Sequence, residues 1–489
     1  MKCKLLKSQV ITCRCGGLLN FMKKFYITTT LPYVNAEPHI GFAMEIIEAD
    51  VLARFHKQLG EDVFFNTGTD EHGLKIYRAA NEMGVEVQKY CDDKAESFIK
   101  LKEALNLSFN NFIRTNDKHH IKAAQEFWKK CDANGDIYKK SYKTKYCVGC
   151  ESEKTDSELI DGRCPVHPNI EVEIIEEENY FFRFSKYQEK LLELYEKNPN
   201  FVLPRKRLNE VKKFVEGGLE DFSISRLKSK MPWGISVPGD DEQVIYVWFD
   251  ALVNYISAIG WPDVEDKFNK WWPAVQIAGK DNLRFQSAMW QAMLLSAGLL
   301  NSKQIFINGF IGVGGQKMSK SLGNVISPFE MVEKFGIDGT RYLLLSFGNF
   351  GEDIDVSWGK FTEKYNADLA NGLGNLVSRV VKLSSEVNYK MANVSIIPEF
   401  AKLIDSMELG RALEYIWDKV CEDNKYIEDN KPWELAKSDI VKFGDVMQKL
   451  FADLNLIAEH LLPFMPETSE KIKKARETKK VEPLFQRIK

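Results

Sequence analysis

The chain has 489 residues, 44% of them hydrophobic and 12% aromatic, more than one hydrophobic core normally organises, so two to four packed domains are expected. A formal net charge of −3 excludes attraction of nucleic acid by bulk charge, and any RNA partner must be met by local basic patches and shape. No apolar run reaches the roughly 18 residues of a bilayer span, and nine cysteines over this length do not make a disulfide framework, so a reducing, cytoplasmic setting is expected.

Residues 1–21 hold Cys3, Cys13 and Cys15 among lysines and glycines without a sustained apolar segment. Met22 reads as the functional start and 1–21 as an extension of no catalytic role. Phe25–Thr30 is aromatic and β-branched and predicts a buried strand. From Gly41 to Leu59, residues Ile46, Ile47, Val51, Leu52 and Phe55 recur at helical spacing, and Asp62–Thr69 predicts a second strand. Strand, helix, strand in that order implies a parallel sheet. The stretch 138–232 differs in character, with a cysteine pattern and an acidic run, and looks inserted. The earlier pattern then resumes: a strand at Val244–Trp248, a helix at Ala251–Ile259, a strand at Val275–Ala278, a helix at Asn282–Ala297 and a strand at Gln304–Asn308. From about Phe361 onward the periodicity is almost purely helical, as expected of a bundle.

His39-Ile40-Gly41 falls where the first strand gives way to the first long helix. Free amide donors at a helix start attract phosphate, and glycine lets the backbone approach a ligand. Far along the chain, Lys317-Met318-Ser319-Lys320-Ser321 follows a glycine-rich stretch, Gly312 to Gly315, which is expected to supply flexibility. Its ammonium groups can close over a polyphosphate as charge develops, which concentrates stabilisation in the transition state. No Walker-type Gly-Lys-Ser/Thr loop occurs. Either motif alone is compatible with ordinary surface residues; the pair points to nucleotide chemistry.

Trp248-Phe249-Asp250-Ala251 with Tyr255 places aromatic rings and a carboxylate near a strand–helix junction. Aromatic faces suit a flexible thioether. Cys147-x2-Cys150 and Cys164-x2-His167 form two close pairs of ligands, the spacing of a four-coordinate structural zinc. Asn375 and Arg379 lie one helical turn apart, and Trp433 follows Lys431-Pro432. A stacking ring with an amide and a guanidinium nearby can read unpaired RNA bases.

Pro32-Tyr33-Val34-Asn35 through His39-Ile40-Gly41, and Lys317 to Ser321 with the trailing Leu322-Gly323-Asn324, resemble the two signature motifs of class I aminoacyl-tRNA synthetases. The surrounding residues narrow the resemblance to the methionyl-tRNA synthetase family of the single-zinc-knuckle type, over essentially Met22 to the C-terminus. It implies an α/β fold: a Rossmann-like parallel-sheet catalytic domain (22–137 and 233–360, the latter with the lysine loop), split by a zinc-binding insert (138–232). An α-helical bundle domain for anticodon binding (361–489) follows. The implied activity is ATP-dependent activation of L-methionine to methionyl-adenylate and transfer to tRNA(Met), which translation initiation and elongation both require.

The resemblance also implies site residues. His39, Gly41, Asp281, Lys317, Ser319 and Lys320 would serve ATP, with His39 and the two lysines catalytic and Mg2+ accompanying ATP. Leu31, Tyr33, Trp248, Tyr255 and Gln286 would line the methionine pocket, Asp70 would hold the ammonium group, and Arg226 would support the site. Cys147, Cys150, Cys164 and His167 would bind one structural Zn2+. Asn375, Arg379 and Trp433 would read the CAU anticodon, and a monomer is expected, no further dimerising domain following Lys489.

Two positions depart from the family pattern. Phe42 stands where a second histidine usually closes the first signature, and Gln286 where related enzymes carry a histidine beside the methionine side chain. Two rival readings are a class I synthetase for cysteine, valine, isoleucine or leucine, and a zinc-stabilised RNA-binding protein that has lost catalysis. The insert is short for the editing module of the branched-chain enzymes, and a cysteine enzyme would place zinc in the pocket.

Overall fold

The central strands carry the apolar residues that burial on both faces demands, as in Phe25-Tyr26-Ile27 and Ile305-Phe306-Ile307. The computed structural model describes residues 23–318, 323–383, 394–480 and 482–489. Strand β1 (Lys24–Thr28), helix α1 (Ile40–Gln58) and β2 (Asp62–Thr69) follow the expected order. Helices α2 (Leu74–Glu82) and α3 (Val87–Ile99), β3 (Asn111–Arg114) and α4 (Lys118–Ala133) complete the first half. The next stretch contributes β4 (Ile137–Cys147), β5 (Ser152–Lys154), β6 (Glu173–Phe182) and the short β7 (Val202–Leu203). Helix α5 (Val247–Ala251), β8 (Val275–Gly279), β9 (Gln304–Asn308) and α6 (Pro328–Leu345) form the second half.

The main sheet has six strands, all parallel, in the order β3-β2-β1-β8-β9-β7. The chain runs outward from β1 to β3, then returns to the other side of β1 with β8, so the order reverses between β1 and β8. Ligands of open α/β sheets settle at such a point, beyond the carboxyl ends of the strands. β4 and β6 form a long antiparallel hairpin with β5 on one edge.

Three expectations are corrected. Val244–Trp248 is not a strand of the parallel sheet: Asp240–Ile245 pairs antiparallel with Ser225–Leu227 and Ser236–Val237, and α5 begins at Val247. A short apolar run is ambiguous between strand and helix, and periodicity could not separate them. The helix expected over Asn282–Ala297 is broken by a π-turn at Phe285–Met289. β7, inside the stretch expected to be insert, pairs with β9, so the chain rejoins the main sheet well before position 232.

Helices α7 (Asn375–Leu383), α8 (Leu409–Asn430), α9 (Pro432–Ser438), α10 (Ile440–Leu461) and α11 (Pro466–Thr478) make the C-terminal region helical, as expected. It shares one core with the sheet domain, in which Phe55, Leu343, Leu373 and Leu454 belong to a single buried cluster. At this junction Arg341 of α6 pairs with Asp50 of α1 at 2.8 Å, both side chains fully buried. Arg341 also donates to the backbone oxygens of Leu105, Pro463 and Phe464. Burial alone would raise the Asp50 carboxyl, but Arg341 and Arg54 outweigh it and hold it below the usual range. Among the described residues no helix is long and apolar enough to cross a membrane.

Candidate active site

His39 caps α1, its Nδ1 accepting the Gly41 amide at 3.0 Å with the ring exposed at the helix start. A Cβ on Gly41 would lie 2.8 Å from His39 Cε1, so any side chain there would push the imidazole off the helix start. The second motif arrives at the same place. Gln316–Lys317 pairs with Ile311–Val313 across a two-residue turn whose Gly314 and Gly315 have φ of 63° and 78°. The glycines expected to supply flexibility instead form a tight hairpin that fixes the Lys317 backbone opposite Gly312. Met318 Cε then comes within 3.7 Å of a Cβ built on Gly41, and the Ile40 amide donates to Ile326 O at 3.1 Å. A cleft of about 350 Å3 beside this junction is bordered by Asn35, Pro38, Lys94, Ser327 and Glu330. The two motifs therefore converge. Ser319, Lys320 and the Lys317 side chain lie outside the described residues, as do the extension 1–21 and Met22.

Beyond the end of β1, Leu31, Pro32 and Tyr33 are stitched to Asp70 by the Asp70 amide to Pro32 O and the Val34 amide to Asp70 O. Tyr33 meets Trp248 edge-on at 6.3 Å, and Trp248 stacks on Phe285 with centroids 3.8 Å apart. Tyr255 donates to Gln286 Oε1 at 3.1 Å. Four buried polar atoms of this group lack a hydrogen-bond partner: Tyr33 Oη, Asp70 Oδ1, Trp248 Nε1 and Gln286 Nε2. Each orphaned buried group costs about 1–3 kcal/mol, so such a cluster is the mark of a pocket built for a polar ligand.

The floor of the pocket is crowded with buried titratable groups. Asp250 is fully buried and receives His72 Nδ1 at 2.9 Å and His120 Nε2 at 3.4 Å, while His120 Nδ1 meets Ser257 Oγ at 2.9 Å. Burial disfavours charge on both partners, yet His72 is raised by Asp250, and Asp250 is lowered by the two histidines. Asp70 is pushed well above the carboxylate range by burial and then by the charge of Asp250, the state of a carboxyl awaiting a cation. Glu45 of α1 accepts from the Thr30 amide and hydroxyl at 2.7 and 2.6 Å. Burial pushes Glu45 up to about 7 and Glu48, which accepts from Asn308, up to about 8.

Asp281 opens the segment after β8, and a Cβ on Gly279 would lie 2.8 Å from its Oδ1. Its charge adds to the upward shift of Glu45. Arg226 is buried behind the pocket, donating to Ser223 Oγ and Ser225 O and lying 4.3 Å from the Tyr246 ring and 5.3 Å from the Tyr146 ring. Phe42 turns inward, packing edge-on against Phe98 of α3 at 5.7 Å. At that position the chain has traded a polar group for core.

Cys147, Cys150, Cys164 and His167 converge with all ligand atoms within 4.8 Å of one another. Cys150 Sγ lies 3.5 Å from Cys164 Sγ and 3.2 Å from His167 Nδ1, and Cys147 Sγ lies 3.8 Å from His167 Nδ1. Ligand separations of about 3.5–3.8 Å are those of a tetrahedron with zinc–sulfur bonds near 2.3 Å, so these residues fit a four-coordinate metal. Gly149 leaves room for the His167 ring, which a Cβ would meet at 2.5 Å.

Glu151, next to this cluster, was not anticipated. It is 1% exposed, in the left-handed region at φ 48°, and its carboxylate accepts from the Lys75 amide at 2.6 Å and from the Tyr146 hydroxyl. It thus caps α2, which Gly73 leaves without a side-chain cap, directly after Asp70-Glu71-His72. His120 and Phe285 were missed as well; none of the three has a local sequence signal, since each acts through residues distant in the chain.

On the helical region, Arg379 pairs with Glu428 at 2.7 Å and lies 5.8 Å from the Trp433 ring, which is 39% exposed. Asn375 is exposed one turn before Arg379. The three expected base-reading residues thus include one close cation–ring pair on an accessible surface.

A split parallel sheet with a histidine–glycine helix start and a lysine hairpin at its order-reversal point defines a class I tRNA synthetase, and the family described as "tRNA synthetases class I (M)" matches residues 25–171 and 168–381. The methionine--tRNA ligase of Thermotoga maritima is 44% identical over 92% of this chain and 74% of its own length. That of Brucella suis is 42% identical over 92% of this chain and 91% of its own. The structure of Mycobacterium tuberculosis methionyl-tRNA synthetase in complex with methionyl-adenylate superposes with a TM-score of 0.86 at 37% identity, covering 95% of this chain and 98% of that one. The chain belongs to the methionine--tRNA ligase family.

Proposed function

We propose that this chain activates L-methionine with ATP and transfers it to tRNA(Met). The observation that carries the reading is the set of orphaned polar atoms at Tyr33, Asp70, Trp248 and Gln286, walled by aromatic rings, with Tyr33 on the segment that leads from β1 to the His39 helix start. The Asp70 carboxyl receives the substrate ammonium, and the rings enclose the thioether. A methionine carboxylate oxygen attacks the α-phosphorus of ATP, the bond from that phosphorus to the β-phosphate bridging oxygen breaks, and pyrophosphate leaves with the electron pair. His39 and the amides of the α1 start hold the phosphates, while Lys317 and Lys320 meet charge that develops on the way to products. Mg2+ enters with ATP as its counter-ion, and Asp281 orients the ribose. In the second step a hydroxyl of the terminal tRNA ribose attacks the methionyl carbonyl, and AMP leaves.

Cys147, Cys150, Cys164 and His167 would hold one Zn2+, which supplies folding energy to the insert and no chemistry to the reaction. Asn375, Arg379 and Trp433 read the anticodon, and Arg226 supports the pocket from behind. The domains follow the sequence reading, 22–137 and 233–360 catalytic around the insert 138–232, then 361–489 for the anticodon, except that the later part of that insert, with β7, belongs to the catalytic sheet. The enzyme works as a cytoplasmic monomer. Amino-acid-dependent exchange of pyrophosphate into ATP tests the reading: methionine alone should support it, exchange driven by cysteine, valine, isoleucine or leucine would select another class I synthetase, and no exchange would leave an RNA-binding protein.

A further inference from the structure

Gly312 lies in the middle of a small three-stranded sheet. On one side it pairs antiparallel with Lys317, and on the other it pairs parallel with Asp355 of the strand Ile354–Val356. The missing side chain at Gly312 lets the Asp355 carboxylate reach over it: a Cβ there would lie 3.5 Å from Asp355 Oδ1 and 3.2 Å from Gln316 O. Asp355 Oδ1 accepts the Gly315 amide at 2.6 Å, and Val356 O accepts the Gly314 amide at 3.1 Å. Both amides of the Gly314-Gly315 turn are thereby held by one strand. That strand is itself fixed, since the Ile354 amide donates to Phe310 O at 2.9 Å and Val356 is buried in the main core. Lys360, on the helix Trp358–Lys364 that follows, donates to Asp355 O and Oδ2, each at 2.9 Å. The Gly315 amide and then Lys360 hold the Asp355 carboxyl below the usual carboxylate range, so it is ionised at neutral pH.

We infer that Asp355 is a positioning residue for adenylate formation: its carboxylate clasps the tip of the lysine hairpin and fixes the backbone from which Lys317 and Lys320 reach the triphosphate. The inference rests on the proposed function and adds to it a residue outside both signature motifs. Glycine has the widest conformational freedom of any residue, so a Gly-Gly turn is loose unless it is tied. Each lysine adds a flexible four-carbon stem beyond that turn. Stabilisation of developing charge needs donors aimed in advance, and a misplacement of about 1 Å can cost ~100-fold in rate. A charge-assisted bond onto an amide of the turn removes the looseness at its source. Asp355 is exposed, and its partners are Gly315 and Lys360 rather than any residue of the methionine pocket.

Single-turnover formation of methionyl-adenylate on the full chain tests this as a double-mutant cycle with the lysine loop. Asp355→Ala in the wild-type background should lower the rate about tenfold, the worth of one charge-assisted hydrogen bond, with methionine affinity within about twofold. In the Lys320→Ala background, where only Lys317 is left to misplace, the same substitution should lower the rate less than about threefold. Asp355→Asn, whose Oδ1 can still accept the Gly315 amide, should recover most of the rate. Lys360→Ala, which leaves the clasp but frees its carboxylate, should give a smaller loss than Asp355→Ala. An undiminished rate in Asp355→Ala, an equal loss in both backgrounds, a loss of methionine binding as large as the loss of rate, or an Asn variant as slow as the Ala variant would overturn the inference while leaving the function standing. A wild type that forms no methionyl-adenylate would overturn both.

Discussion

Glu48 shows how a single buried carboxyl ties this fold to pH. Its folded value of about 8 lies above the ordinary 4.5, so the folded state binds the proton more tightly than the unfolded chain does. Stability is therefore greatest below 4.5 and falls as pH rises from there through 8. Glu48→Gln keeps the acceptor for Asn308 Nδ2, and its amide can also reach Asn308 Oδ1, which has no partner now. The variant should match the wild type near pH 4.5 and exceed it increasingly up to about pH 8, by roughly 1–4 kcal/mol, as read by denaturant unfolding. A constant difference across that range would contradict the assigned burial of the carboxyl. Little of this was legible beforehand. Glu48 carries no signal of its own in the sequence, because Asn308, which it meets, lies 260 residues away. Gln286 and Phe42 were visible as departures, yet only the geometry tells that one keeps a buried amide nitrogen without a partner and the other packs into core.

At the scale of elements, the knuckle and α2 act together. Glu151 follows the metal ligand Cys150 and caps α2, the helix that starts just beyond Asp70 and His72. Removal of the metal should expose Cys147, Cys150 and Cys164 to thiol reagents and release this cap. Caps contribute about 1 kcal/mol, so the methionine KM should rise roughly fivefold with a smaller effect on kcat. Glu151→Gln should give a rise of the same size while the thiols stay protected; an unchanged KM in both would detach the knuckle from the pocket. A second pair of elements, α7 and α9, carries Arg379 and Trp433. Trp433→Ala should lower tRNA aminoacylation about 5- to 150-fold, from about 1–3 kcal/mol of lost stacking, and leave methionine-dependent exchange within about twofold. Elements of this kind were readable to different degrees. Asp62–Thr69 matched to the residue because its run is long, β-branched and ended by a turn. Val244–Trp248 failed because five apolar residues carry no period, and β7 because two residues carry no pattern. The convergence of Cys147, Cys150, Cys164 and His167 was plain, since four such side chains at fixed spacing need no tertiary context.

Across the whole molecule, the sheet domain and the helical region are joined by one continuous core and by Arg341, which pairs with Asp50 in the sheet domain and donates to the Pro463 and Phe464 oxygens of the helical region. Removing one partner of such a pair strands the other charge, at a cost of about 3–5 kcal/mol. Arg341→Ala should therefore lower unfolding stability by that amount and uncouple anticodon recognition from activation, so that cognate tRNA no longer accelerates aminoacyl transfer over a minihelix lacking the anticodon. A loss below about 1 kcal/mol would mean the two regions are held together by apolar contact alone.

The central claim is that the helix start at His39 and the lysine hairpin work on one triphosphate. Single-turnover formation of methionyl-adenylate by Lys320→Ala, measured alongside methionine binding to the same variant, tests it most directly. The account predicts a rate lower by about 100-fold, the effect of one transition-state donor, with methionine affinity within about twofold of wild type. An undiminished rate, or a loss of methionine binding as large as the loss of rate, would contradict it.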